Sequence, residues 1–161
     1  PPLFVMPEEL LKELLGKNQM EKAKCSRILK VYARERERME TILAHSPVSD
    51  ELSQVTKEEY DKYPVMLPLA ECFLEKDVVL TYEEYMTCVE AAKEYARTHE
   101  NYQFSFTKVK GFHNIQITCH QEKWCMVSKN KAPSIHFVIH HPKLRYALEN
   151  VVLPIRDEGL I

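Results

Sequence analysis

The stretch Trp124–Leu144 reads WCMVSKNKAPSIHFVIHHPKL, and its two periodic runs decide the fold. In residues 124–128, Trp124, Met126 and Ser128 alternate with Cys125 and Val127. In residues 135–139, Ile135, Phe137 and Ile139 alternate with His136 and Val138. Such alternation places successive side chains on the two faces of a strand. The polar residues 129–134 (KNKAPS) between the runs are typical of a turn. The stretch therefore predicts two antiparallel strands. Pro142 predicts the first turn of a helix after them, which is expected to run to about Val152 and to end before Pro154.

Two more runs with a period of two precede this stretch. Tyr102, Phe104 and Phe106 alternate with polar residues, and Ile115 and Ile117 do the same. Four strands that follow one another through short polar turns predict an antiparallel meander of about four strands.

The first 45 residues have the period of helices instead. Pro7 with two following acids predicts a helix start, and Gly16 predicts its end. A second, longer helix is predicted from a cap at Asn18 to about Ala44, with apolar positions close to a 3.6-residue repeat.

The middle of the chain carries weaker signals. Residues 46–55 (SPVSDELSQV) predict a linker. Residues 56–59 and 81–84 have the pattern of capping boxes, and each predicts a helix start. Cys72–Leu74 and Val78–Leu80 flank three charged residues and predict a β-hairpin.

Together these patterns predict an α+β fold, in which N-terminal helices are followed by a hairpin, a helix, the meander and a C-terminal helix. We divide the chain into an N-terminal helical segment, residues 1–45, and an α+β domain, residues 46–161.

Composition limits the classes of function. The 161 residues include only 3 glycines, which argues against glycine-rich phosphate loops, and the 5 dispersed cysteines do not resemble a secreted disulfide framework. No apolar run approaches the length of about 20 residues that a membrane span needs. We therefore expect a cytoplasmic protein without a membrane partner.

Charge is distributed unevenly along the chain. Residues 1–100 carry 14 Lys and Arg against 20 Asp and Glu, whereas residues 101–161 carry 8 against 4. A basic C-terminal third can attract a small anion or an acidic partner. It is too sparse in cations for a stand-alone DNA-binding surface.

Several residues of that third are candidate ligand-binding residues for a small anionic ligand. Lysines surround the single tryptophan, and a helix N-terminus after two histidines can bind an anion. A surface for single-stranded nucleic acid and an edge strand whose lysines oppose aggregation remain alternative interpretations. The candidates are Trp124, Ser128, Lys129, His136, His140 and His141.

Metal and catalytic sites are less favoured. His136 and His140 share a strand face but lie roughly 13 Å apart along an extended strand, so they cannot bind one ion together. Cys119 and Cys125 would face each other if their strands pair directly, although a disulfide between them is not expected in the cytoplasm. We predict no catalytic residue, metal or cofactor, and keep a small metal- or Cys/His-dependent enzyme as an alternative.

The long second helix offers a candidate dimer contact. Ile28, Tyr32 and Met39 belong to its narrow apolar stripe. That stripe can pack on the rest of the domain or on a second copy of the chain, so a homodimer is a candidate assembly.

Several segments resemble one family of regulators. NIQI (Asn114–Ile117), the stretch Trp124–Leu144, PPLFVMPEELLKELL (Pro1–Leu15) and LTYEEY (Leu80–Tyr85) resemble the region that follows the DNA-binding head in XRE-type helix-turn-helix transcriptional regulators from Firmicutes. We include Asn114 among the candidate ligand-binding residues.

The resemblance implies the regulatory or oligomerising portion of a transcription factor, which would contact DNA only through a domain outside this chain. Residues 1–45 would then be a dimerisation arm or a linker from that domain. The chain begins Pro1-Pro2 rather than with Met, which agrees with an excised portion. Our leading hypothesis is a non-catalytic regulatory, ligand-sensing or oligomerisation domain, and a protein-interaction module is a further alternative.

Overall fold

The computed structural model describes residues 2–67, 77–109, 114–120 and 122–158. After a short 3-10 helix, Leu3–Val5, five α-helices and five strands follow in this part of the chain. In chain order they are α1 (Glu8–Lys17), α2 (Lys22–Leu43), β1 (Val48–Ser53), α3 (Lys57–Lys62), α4 (Tyr82–Thr98), β2 (Tyr102–Thr107), β3 (Ile115–His120), β4 (Trp124–Lys129), β5 (Ile135–Ile139) and α5 (Pro142–Asp157).

The strands form two separate sheets. β1 and β2 run parallel, in a register from Val48 opposite Tyr102 to Ser53 opposite Thr107. β3, β4 and β5 form an antiparallel sheet in that order. The predicted α+β class is confirmed, with N-terminal helices and a C-terminal helix around these sheets.

The partner of β2 corrects one detail of the predicted meander. Its four strands were expected to be joined in sequence, but β2 pairs with β1, and the meander has three strands. Residues 48–53 are thus a strand and not a linker. The polar residues of β1 hid its strand character. Parallel pairing also needs a long crossover, which here contains α3 and α4, so the partner lies far away in sequence.

Both predicted capping boxes are present. The hydroxyl of Thr81 accepts a hydrogen bond from the backbone N–H of Glu84 at 3.1 Å, and the Glu84 carboxylate accepts one from the Thr81 N–H at 2.8 Å. Thr56 and Glu59 make the same reciprocal pair at 3.2 and 3.0 Å. These contacts satisfy amide groups that have no partner within the first helical turn, which fixes where α3 and α4 begin.

A hydrophobic core joins the N-terminal helices to α4 and β2. Phe4 packs edge-on against the rings of Tyr95 and Tyr102, which lie 5.5 and 5.7 Å away between centroids. The core residues come from both sides of residue 45. Its fully buried members include Leu11, Leu14, Leu15, Ile28, Val78, Leu80, Cys88, Val89 and Ala92.

The apolar stripe of α2 packs on this core. Ile28 and Tyr32 are only 1% and 2% exposed, and Met39 is half-buried against the core. Of the two alternatives for the stripe, the structure shows packing on the domain itself. Ile28 and Tyr32 are therefore core residues of this fold, and the dimer contact stays a prediction.

Two further predictions concern the hairpin around residue 75 and the end of the last helix. Residues 72–74 of the predicted hairpin lie outside the described residues, and the partner of Val79 is Met66, in an isolated antiparallel bridge. The last helix does not stop before Pro154 but continues to Asp157, with that proline inside it. No helix in the described ranges is both long and apolar enough to cross a membrane.

Candidate functional site

One face of the β3–β5 sheet is almost entirely apolar, and we call it the apolar sheet face. Directly paired residues of neighbouring strands lie on the same face. The pairing places Ile117, Val127 and Phe137 in one row across the sheet. The full face consists of Ile115, Ile117, Cys119, Cys125, Val127, Lys129, Ile135, Phe137 and Ile139.

Helix α5 covers one end of the apolar sheet face. The Sγ of Cys125 lies 3.8 Å from the carbonyl oxygen of Arg145, and the Glu149 carboxylate accepts a hydrogen bond from the backbone N–H of Glu122 at 3.0 Å. Cys125 is completely buried beneath the helix. The helix therefore shields the end of the sheet near the β3–β4 turn.

The other end of the apolar sheet face is open. Ile115 is 45% exposed, Ile135 is 36% exposed and Phe137 is 64% exposed. Lys129 lies between the two isoleucines in the same cross-strand row and is also exposed. Soluble domains rarely leave contiguous apolar side chains of this size in water unless another molecule covers them.

Other exposed apolar side chains lie in β5 and α5. Val138 is exposed on the opposite face of β5. On α5, Leu144, Tyr146 and Val151 are exposed as well. Among the described residues, the C-terminal unit of β3–β5 and α5 thus carries most of the exposed large hydrophobic side chains.

The predicted ligand-binding residues do not converge on one pocket. Lys129 lies on the apolar sheet face, whereas Trp124 and Ser128 lie on the other face. Trp124 and Lys129 occupy opposite ends of β4, roughly 17 Å apart at strand rise.

Two of these residues, Ser128 and His136, lie within hydrogen-bond distance of each other. Nδ1 of His136 lies 2.8 Å from Oγ of the buried Ser128, its cross-strand partner. His140 and His141 are exposed residues between β5 and α5, and no side chain caps that helix.

Asn114 has a structural contact that the sequence did not reveal. Its side-chain oxygen accepts a hydrogen bond from the backbone N–H of Met66 at 2.6 Å, and its amide nitrogen donates to the Pro64 carbonyl at 3.3 Å. Its backbone φ is 55°, a left-handed conformation that asparagine tolerates better than most residues. Asn114 therefore joins the β3–β5 sheet to residues 64–66.

A polar cluster between α2 and α4 is a second place where titratable groups meet. One oxygen of the Glu40 carboxylate accepts a hydrogen bond from the Tyr95 hydroxyl at 2.6 Å and lies 3.0 Å from Nε2 of His99. The ring of His99 stacks on that of Tyr95 at 3.8 Å. The Tyr95 hydrogen bond and the nearby His99 lower the pKa of Glu40, and burial together with Glu40 raises the pKa of Tyr95.

The contacts of this cluster hold α2 and α4 together. Nδ1 of His99 lies 3.0 Å from the Tyr95 carbonyl oxygen, so both ring nitrogens face acceptors. The His99 ring thereby links Glu40 of α2 to the last turn of α4. Glu40 and His99 line a shallow depression of about 410 Å³, and a second of similar size is lined by Tyr60 and Tyr82.

No group of three or more His, Cys, Asp or Glu side chains within the described ranges is arranged to hold a metal ion. Comparison of the chain with protein-family models, curated proteins and solved structures gives no match. The open apolar sheet face is thus the structural feature that most directly indicates a function.

Proposed function

We propose that this chain is a non-catalytic protein-interaction domain, whose C-terminal sheet binds an extended segment of a partner protein. The exposure of Phe137, on the edge strand and in the middle row of the apolar sheet face, is the observation that carries the proposal. A regulatory domain of a transcriptional regulator would act through such a contact. The proposal therefore includes the regulatory role that the resemblance implies.

The free edge of the sheet supports an extended partner. β5 pairs with β4 along one edge, and no other described strand pairs with its second edge. An edge strand presents backbone N–H and C=O groups to which an added strand can bond. The exposed side chains of Ile135 and Phe137 supply apolar contacts for alternate residues of that strand.

The charge around this edge supports an acidic partner. Residues 123–148 contain five Lys and Arg and no Asp or Glu. Lys129, Lys131 and Lys143 of this set are exposed. Two copies of the chain that met edge to edge at β5 would bring these like charges together, whereas an acidic segment would be attracted. The partner we propose is an extended segment in which apolar residues alternate with Asp or Glu.

Binding of a defined peptide tests the proposal. The probe is a fluorescent extended peptide in which valine alternates with glutamate, compared with one in which lysine replaces glutamate. Phe137→Ser removes the exposed aromatic ring from the edge strand, and Tyr63→Ser is the matched control, since Tyr63 is 58% exposed outside the sheet. Fluorescence anisotropy at several salt concentrations measures the affinity.

The expected magnitude follows from the exposed area of Phe137. At 64% exposure, its side chain can bury about 100 Å² more, which is worth about 2.5 kcal/mol. Ordering of the partner offsets part of this gain. We expect Phe137→Ser to weaken binding of the acidic peptide by at least about tenfold. Tyr63→Ser should leave the affinity unchanged, and added salt should weaken binding.

Three results would overturn the proposal. The first is equal binding of acidic and basic peptides. The second is an affinity that Phe137→Ser leaves unchanged. The third, from light scattering, is a dimer that Phe137→Ser dissociates, because the apolar sheet face would then be occupied by a second copy.

A further inference from the structure

Cys119 and Cys125 form a close pair of thiols beneath α5. They are direct cross-strand partners in β3 and β4, and their Sγ atoms lie 2.9 Å apart. Both cysteines are free thiols in this structure. No function proposed above uses them.

The strand geometry suits a disulfide. Directly opposite residues of antiparallel strands have Cα atoms about 4.5 or 5.5 Å apart, and both values fall in the range that disulfides span. The Sγ atoms, at 2.9 Å, need to approach by roughly 1 Å more to reach bonding distance. Bond formation therefore requires no change in strand register.

The two thiols differ in access. Cys119 is half-buried at the sheet surface, whereas Cys125 is fully buried next to the Arg145 carbonyl. A small oxidant can therefore reach Cys119, and Cys125 is positioned to react only with the sulfur of Cys119. The other described cysteines lack such a partner, since Cys88 is buried in the core and the Cys25 thiol contacts the Met20 carbonyl.

We propose that Cys119 and Cys125 are a redox-modification site, an oxidisable dithiol whose co-reactant is a low-molecular-weight disulfide of the glutathione type. The Cys119 thiolate attacks one sulfur of that disulfide, forms a mixed disulfide and releases one small thiol. The Cys125 sulfur then attacks Cys119 Sγ and releases the second small thiol. Two protein thiols are oxidised to one disulfide, one small disulfide is reduced to two thiols, and both protein protons end on those thiols.

Burial of the Cys119 thiol slows the first step, which is its attack on the small disulfide. Burial and the neighbouring Cys125 raise the pKa of the Cys119 thiol to about 12. The thiolate is the attacking species, so it is scarce at neutral pH and its fraction rises about tenfold for each pH unit. The two thiols should thus stay reduced on short exposure to oxidant and form the disulfide slowly.

Mass spectrometry of the full chain tests the proposal. The protein is incubated with glutathione disulfide at pH 7 and pH 8, and alkylated digests are mapped. We expect a product lighter by two hydrogen atoms, with a linked peptide pair that contains Cys119 and Cys125. It should form about tenfold faster at pH 8. The product should melt about 5 °C higher than the reduced protein.

Two variants distinguish formation of the mixed disulfide on Cys119 from formation of the disulfide between Cys119 and Cys125. Cys125→Ser should keep a stable glutathione adduct on Cys119, whereas Cys25→Ser should still form the disulfide. The result that would refute the site is wild-type protein in which Cys119 and Cys125 stay unlinked after prolonged oxidation, or in which glutathione remains on Cys119. The wild-type map decides this even if a variant fails to fold, and it does not depend on whether a partner binds the apolar sheet face.

Discussion

The partly buried carboxyl group of Asp50 makes the stability of this fold depend on pH. Asp50 lies in β1, where its carboxylate accepts a hydrogen bond from the Tyr102 hydroxyl at 2.8 Å. Burial raises the pKa of Asp50 from 3.8 to about 6, although that hydrogen bond lowers it. The folded protein therefore binds this proton more tightly than the unfolded chain.

The sign of the effect follows from this raised pKa. The stabilisation by protonated Asp50 is complete below about pH 4 and is lost as the pH rises through about 6. A shift of about two pKa units corresponds to about 3 kcal/mol. Asp50→Asn removes the titration and retains an oxygen that can accept the Tyr102 hydrogen bond. The stability of this variant relative to wild type should rise by about 3 kcal/mol between pH 4 and pH 7.5.

Urea unfolding at a series of pH values measures this difference. With a slope of about 2 kcal/mol/M, the midpoint of the variant should move by roughly 1.5 M relative to wild type across that range. Glu58→Gln, which removes an exposed carboxylate, is the matched control and should show no such change. Parallel pH curves for wild type and Asp50→Asn would refute the reasoning, because they would show that folding does not raise the pKa of Asp50.

The remaining predictions concern other polar contacts, and urea unfolding again measures the change in the free energy of unfolding. Asn114→Ala leaves the Met66 amide without its acceptor and places alanine at a φ of 55°, so we expect a loss of about 3 kcal/mol. Asn114→Gly, which tolerates that φ, should lose less, and equal losses would contradict the backbone contribution. Glu40→Gln should cost under about 1 kcal/mol at neutral pH, because Glu40 is largely exposed. Since the Tyr95 hydrogen bond and the nearby His99 lower the pKa of Glu40, this cost should vanish as the pH falls through that pKa, and a cost that persisted after the carboxylate is protonated would contradict the contribution of its charge. Thr81→Ala should cost about 1 kcal/mol through loss of the cap, while Thr81→Ser should be nearly neutral.

Sequence periodicity predicted most elements because it reports local geometry. The alternation in Trp124–Leu144 predicted two strands that the structure confirms as β4 and β5. The Thr81 capping box predicted the start of α4 for the same reason, since its contacts span only three residues. Signals of this kind do not depend on distant parts of the chain.

The candidate site was less accessible to such reasoning. The sequence drew attention to the histidines and to Trp124, but not to the exposure of Phe137, whose alternation is equally typical of a core strand. Whether an apolar face is covered depends on where α5 packs, and α5 covers only the end near Cys125. Similarly, the contact of Glu40 with His99 joins residues 59 positions apart.

The sequence by itself determined the class of fold, the capped starts of α3 and α4, the C-terminal strands and the basic character around them, because these depend on periodicity and composition. Only the tertiary structure decided that β2 pairs with β1, that Ile28 and Tyr32 belong to the core, and that one end of the apolar sheet face stays open. Strand partners and burial are set by the free energy of packing distant segments together. An alternating pattern specifies two faces of a strand, but not what covers each of them.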